Sequence, residues 1–168
     1  SSESRGLGDV YKRQHIYEAL RDSIYIQTNH PDYIAPEIDL NNIIIDAEPT
    51  NAESPNGETR VDLSFLVRDL SDYAGYESGA KQVWWTLRNP LGYEFTFSSE
   101  GQSDVLDKNR TTFLPHGHSD WELVRLNTLL PRGSAPGKWG MSSMHVVDRN
   151  NNIRNCLLYT SPSPRDSL

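Results

Sequence analysis

Cysteine is nearly absent from this chain. The single one, Cys156, stands close to the C-terminal end of 168 residues. No disulfide can form within the chain, and no cluster of thiolates can hold a metal. Methionine is scarce too, with two residues. No apolar run is long enough to span a membrane as a helix, so membrane insertion is not expected. Basic residues are outnumbered, 16 Lys and Arg against 23 Asp and Glu, for a formal net charge of −7. Nucleic-acid binding needs a basic face and is not expected either. An acidic surface permits divalent cation binding or simple solvation. The GxSxG, HExxH and glycine-rich phosphate-loop patterns are missing, as is a plausible Ser-His-Asp spacing. The expectation is therefore a protein that is not an enzyme.

The two ends have a shared origin in the genetic code. DVYKRQ at 9–14 back-translates to a DNA sequence whose complementary strand, shifted by one base, reads CLLYTS, the sequence of 156–161. The match continues outward, with SRGLG mirrored by SPSPRD, over about ten codons in all, so both ends are set aside before fold reasoning. They resemble translated sequencing adapter. On this reading residues 1–14 and 156–168 are adapter-derived and the rest is a fragment of about 140 residues, enough for about one domain.

What remains is rich in β-branched and aromatic residues, punctuated by Asn, Asp, Gly and Pro. Residues 16–27 fit either a helical or an alternating period, and SIYIQT at 23–28 favours a strand. A linker with Pro31 and Pro36 follows, since proline cannot continue a helix. Strands are expected at 38–47, 59–69, 82–88, 93–99, 111–114, 121–130 and 138–147. Asn56-Gly57 is the strongest turn signal. In 59–69, Val61, Leu63, Phe65 and Val67 share a face. Trp84 and Trp85 point to opposite faces. The expected core adds Leu87, Leu123 and Val146. Seven or so short strands with no convincing long helix point to an all-β, antiparallel sandwich, with a barrel as the competitor.

Three segments carry a resemblance: VRDLSDYAGYESG at 67–79, LRNPLG at 87–92, and APGKWGMSSMHVVDRNNN at 135–152. Together they resemble the immunoglobulin-like tandem repeats of bacterial secreted and cell-surface, adhesin-like proteins, over about 38–155. The resemblance implies an Ig-like sandwich at 37–155, with 15–36 as the tail of a preceding repeat plus linker. It implies secretion or surface display, and neighbouring repeats, a surface protein or a glycan as partners. The loop between Asp69 and Gly79 is longer than the usual pattern. The last strand of such a repeat is expected to be missing. Either SIYIQT or CLLYTS could take its place, and residues 157–160 are expected beside 138–147.

Three constellations could carry function. Asp69, Asp72, Asp148, Asn150 and Asn152 could offer oxygen ligands to calcium, although Asp and Asn more often end strands and cap turns, so no cofactor is expected beyond that one candidate. Trp84, Trp85 and Trp121 could form a sugar-stacking platform, as in a carbohydrate-binding accessory domain, although tryptophans more often fill cores. Trp139 belongs to the same group. His116 and His118 stand two apart with Asp120 nearby, so both could reach one metal in a small metal-dependent enzyme. Pro115 and Gly117 suit a plain turn there. His145 reads as a packed or surface histidine.

Overall fold

The structure is a computed structural model, and it describes residues 22–99, 116–117 and 119–158. The expected strand at 111–114, residues 16–21 of the ambiguous stretch and most of both adapter-like ends lie outside the described residues. The described chain is all-β, with eight strands in two antiparallel sheets packed face to face. These strands are β1 (Glu37–Ile38), β2 (Ile44–Pro49), β3 (Thr59–Arg68), β4 (Ala80–Arg88), β5 (Glu94–Ser98), β6 (Glu122–Leu130), β7 (Gly140–Asp148) and β8 (Ile153–Leu157). In the first sheet β1 and β2 lie along one edge of β3, while β6 pairs with its other edge. The second sheet runs β5-β4-β7-β8.

Alternation explains the packing. Val61, Leu63, Phe65 and Val67 all face inward from β3, and every second residue between them faces out. From the opposite sheet Val83, Trp85, Leu87, Met144 and Val146 close the core. Trp85 is fully buried and lies beside the Phe97 ring at 5.8 Å. This interdigitation of two inner faces is what makes a sandwich one unit.

Two expectations about the first sheet are corrected. Leu123 is 37% exposed and is not core. It pairs with Leu66 on the outer face of the first sheet, while its neighbour Val124 pairs with Phe65 and points in. The predicted strand at 38–47 is broken in two. Asp39 accepts the Asn41 N–H at 3.0 Å and the Asn42 side chain at 2.5 Å, closing a turn between β1 and β2. An Asx turn of this kind competes with strand pairing for the same backbone groups. Asn56-Gly57 does lie in the β2–β3 connection, which the Thr50 N–H to Glu58 carbonyl bond closes.

Residues 23–28 form no strand. β8 covers the edge of β7 instead and runs through the boundary set at Asn155. Cys156 pairs with Met144 and Leu157 with Ser143. The Leu158 N–H bonds the Ser142 carbonyl, and residues 159–160 lie outside the described residues. Cys156 is buried in the core.

The inner faces give a direct test. Phe65→Ala is expected to cost about 3–5 kcal/mol in denaturant unfolding, as for other fully buried aromatic truncations. Leu123→Ala is expected to change stability by less than about 0.5–1 kcal/mol. Equal losses would mean that the facing of β6 is the reverse of that described.

Candidate functional site: a buried carboxylate cluster

Polar groups gather at one end of the sandwich. Asp69 follows β3, Asp148 ends β7, and Asp32 comes from the segment leading into β1. All three are buried, with Asp69 and Asp148 fully so. One oxygen from each lies within 4.8 Å of one from each of the others.

Each carboxylate is placed by its own chain neighbours. The chain reverses between β7 and β8 around Asp148. One of its oxygens accepts the N–H groups of Asn150 and Asn152, both at 2.9 Å. The other accepts the Asn152 side-chain amide at 2.8 Å. Asn151 takes the left-handed conformation, φ 62°, which asparagine tolerates better than most residues. Asp69 accepts Leu70 N–H at 3.0 Å and Gly79 N–H at 2.6 Å. Gly79 has φ 98°, a backbone geometry strained for any residue with a Cβ. Asp32 accepts Ile34 N–H on one oxygen and both Ser78 N–H and Oγ–H on the other, at 2.9 and 2.7 Å.

The three loops are also bonded to one another. Arg149 N–H donates to the Gly79 carbonyl. The Asn152 amide donates to the Asp32 carbonyl, across 120 residues of sequence. Arg154 donates to the Pro36 and Ala35 carbonyls. The lead-in segment is thus fastened to the domain and is not a free linker.

Electrostatics oppose this arrangement. Burial pushes the Asp69 carboxyl up to about 7 from an ordinary 3.8, and the nearby charges of Asp32 and Asp148 add to the rise, while the Gly79 and Leu70 N–H groups oppose it. Burial raises Asp148 as well; donation from Asn152 opposes the rise and Asp32 reinforces it. Three like charges in so small a volume must be met by a proton or a cation.

Of the residues predicted to bind calcium, Asp69, Asp148 and Asn152 converge here. Asn152 turns its amide N–H toward the cluster, so it supports the carboxylates as a donor. Asp72 is exposed and Asn150 contributes only its backbone N–H. Asp32 was missed, because a lone acid between Pro31 and Pro36 gives no local sign of burial. The tryptophans are not brought together. Trp85 is core, Trp84 is half-buried on the outer face of the second sheet, and Trp121 stands before β6 in the first, under the Arg68 guanidinium at 4.4 Å. Trp139 donates to the Ala135 carbonyl and packs on Phe95. His116 is exposed, and His118 lies outside the described residues. His145 is half-buried on β7 beside Asn155.

No family model matches the chain, and no curated protein or solved structure was found to be similar to it.

The raised Asp69 carboxyl makes stability depend on pH. Below about pH 4 it is protonated in both folded and unfolded chains. Between about 4 and 7 only the folded chain keeps the proton, so metal-free protein is expected to lose stability as pH rises through that window. Melting temperatures in chelator from about pH 4 to 8 would show the fall. Asp69→Asn should flatten it. A flat profile for the parent chain would mean that Asp69 ionises normally.

Proposed function

We propose that this chain carries a non-catalytic, Ig-like structural or adhesive module of a secreted or surface multi-repeat protein, locked at one end by calcium. The strand order supports the Ig-like part. A sheet of β1/β2, β3 and β6 faces a sheet of β5, β4, β7 and β8. That order corresponds to A-B-E against C′-C-F-G in the immunoglobulin-type sandwich, where the chain crosses between sheets in the same sequence.

The observation that carries the calcium part is the convergence of Asp32, Asp69 and Asp148. Oxygen ligands sit about 2.3–2.6 Å from calcium, so any two of them are at most about 5 Å apart. The 4.8 Å spread of the three carboxylate oxygens fits that limit. Hard cations prefer oxygen donors of this kind, and calcium takes about six to eight. Carbonyls of the same loops and water would supply the remainder. The ion would offset the charge of the cluster and tie the lead-in segment to β3 and β7. In an array, such a tie stiffens the joint between one unit and the next, which suits a stalk or spacer. The partners of the module would then be neighbouring repeats and a surface protein or glycan.

Calcium should raise the melting temperature of chelator-treated protein at pH 7.5. A ligand at about 100 times its Kd adds about 2.7 kcal/mol. Asp148→Asn and Asp32→Asn should each erase the rise, and calcium should protect residues 22–36 from proteolysis. No shift at millimolar calcium would leave a proton as the neutralising group and remove the ion from the proposal.

A further inference from the structure

Beside the carboxylate cluster lies an open cleft of about 610 Å³. Small-molecule sites commonly fall between about 300 and 1,000 Å³. Its lining does not come from the tryptophans. It comes from the lead-in segment, the β3–β4 loop, the β7–β8 turn, and His116 and Gly117 of the β5–β6 connection. We propose that this cleft binds a neutral saccharide. The proposal stands whether or not the neighbouring carboxylates hold an ion.

Three features lead to that ligand class. The first is aromatic. Tyr33 is 76% exposed and Tyr76 55%, and both line the cleft. Tyr76 is braced by a neighbouring ring of the same cleft. The His30 ring packs between Tyr73 and Tyr76, with centroids 4.7 and 4.3 Å away. An exposed but braced tyrosine presents a flat, apolar face with a polar tip, ready to receive the C–H face of a sugar ring at little cost in ordering.

The second feature is polar. Glu77 is buried, yet among the described residues its carboxylate accepts only the Gly75 N–H, 3.0 and 3.3 Å from its two oxygens. A carboxylate has room for about four donors. Glu77 lines the cleft, so hydroxyl donors of a ligand are the complement it lacks. The Asn150 amide is exposed on the same cleft and makes no hydrogen bond among the described residues. An amide can both donate to and accept from a hydroxyl. Paired donor and acceptor contacts are what vicinal hydroxyls require.

The third feature is charge. No lysine or arginine is among the described residues that line the cleft. Phosphate, sulfate and carboxylate ligands would face the Glu77 and Asp32 carboxylates, with the His30 and His116 imidazoles the basic groups of the described lining. A neutral polyhydroxyl ring avoids that repulsion.

The test uses the whole chain on an array of neutral oligosaccharides, followed by calorimetric titration of those retained, in calcium and in chelator. Saturable binding is expected in both. Tyr33→Ala and Tyr76→Ala should each weaken it about tenfold, the scale of one lost aromatic contact. Tyr33 is so exposed that its variant should keep the parent melting temperature, which separates lost binding from lost folding. Trp84→Ala, away from the cleft, should bind as the parent does. An array without binding would overturn the proposal. So would binding that is indifferent to both tyrosines, or tighter binding of a trimethyl-lysine peptide than of any saccharide.

Discussion

Asp148 accepts three hydrogen bonds from the five-residue turn it begins, and in doing so it orients the amide of Asn152 toward Asp32. Much of that end of the molecule depends on the placement of this carboxylate. It shapes the β7–β8 turn, so it sets the register in which β8 lies on β7. Through Asn152 it fixes the lead-in segment, whose Asp32 then fastens Ser78. Through the Arg149 N–H to Gly79 contact the same turn steadies the loop in which Asp69 is capped. A fully buried acid is costly unless its oxygens are satisfied. Here the satisfaction comes largely from backbone N–H groups that loops would otherwise leave without partners, joined by the Asn152 amide and the Ser78 hydroxyl. The charge that remains is the unresolved part of the arrangement, and it is why a proton or a cation belongs there.

The core and the cluster divide the labour. Between the sheets, Phe65, Trp85, Leu63, Leu126 and Met144 contribute apolar burial, which is non-directional and tolerates small shifts. Such burial fixes which face of each strand is inside. It fixes the loop ends poorly, because loops carry few inward side chains. Directional bonds to three aspartates do that instead. The tyrosines and His30 sit on the loops so fixed, and the shape of the cleft follows from them.

The parts of this architecture legible in sequence are those with one clear period. β3 alternates apolar and polar residues along its length, so its period alone assigns its buried face correctly. β6 was harder. Leu123, Val124, Leu126, Leu129 and Leu130 place apolar residues in both frames of an alternating pattern, and the sequence offers no means to choose. Pairing with β3 decides, since Val124 falls opposite Phe65. The Ile43-Ile44-Ile45 run drew one long strand across a turn that Asp39 closes through its side chain. Asp69 and Asp148 were recognisable as acids at strand ends. Asp32 was not, because its partners lie far along the chain and only the folded topology brings them near. The same holds for the cleft, whose tyrosines come from separate loops.

β8 runs across the Asn155–Cys156 boundary, with Ile153, Arg154 and Asn155 on one side of it and Cys156 and Leu157 on the other. At the inward position opposite Met144 the core receives a thiol that burial pushes to a higher pKa and shields from reagents. As the chain's lone sulfhydryl, it is a chemical clock for the strand. Its rate of alkylation reports how often β8 lifts from β7, without the rest of the sandwich having to open.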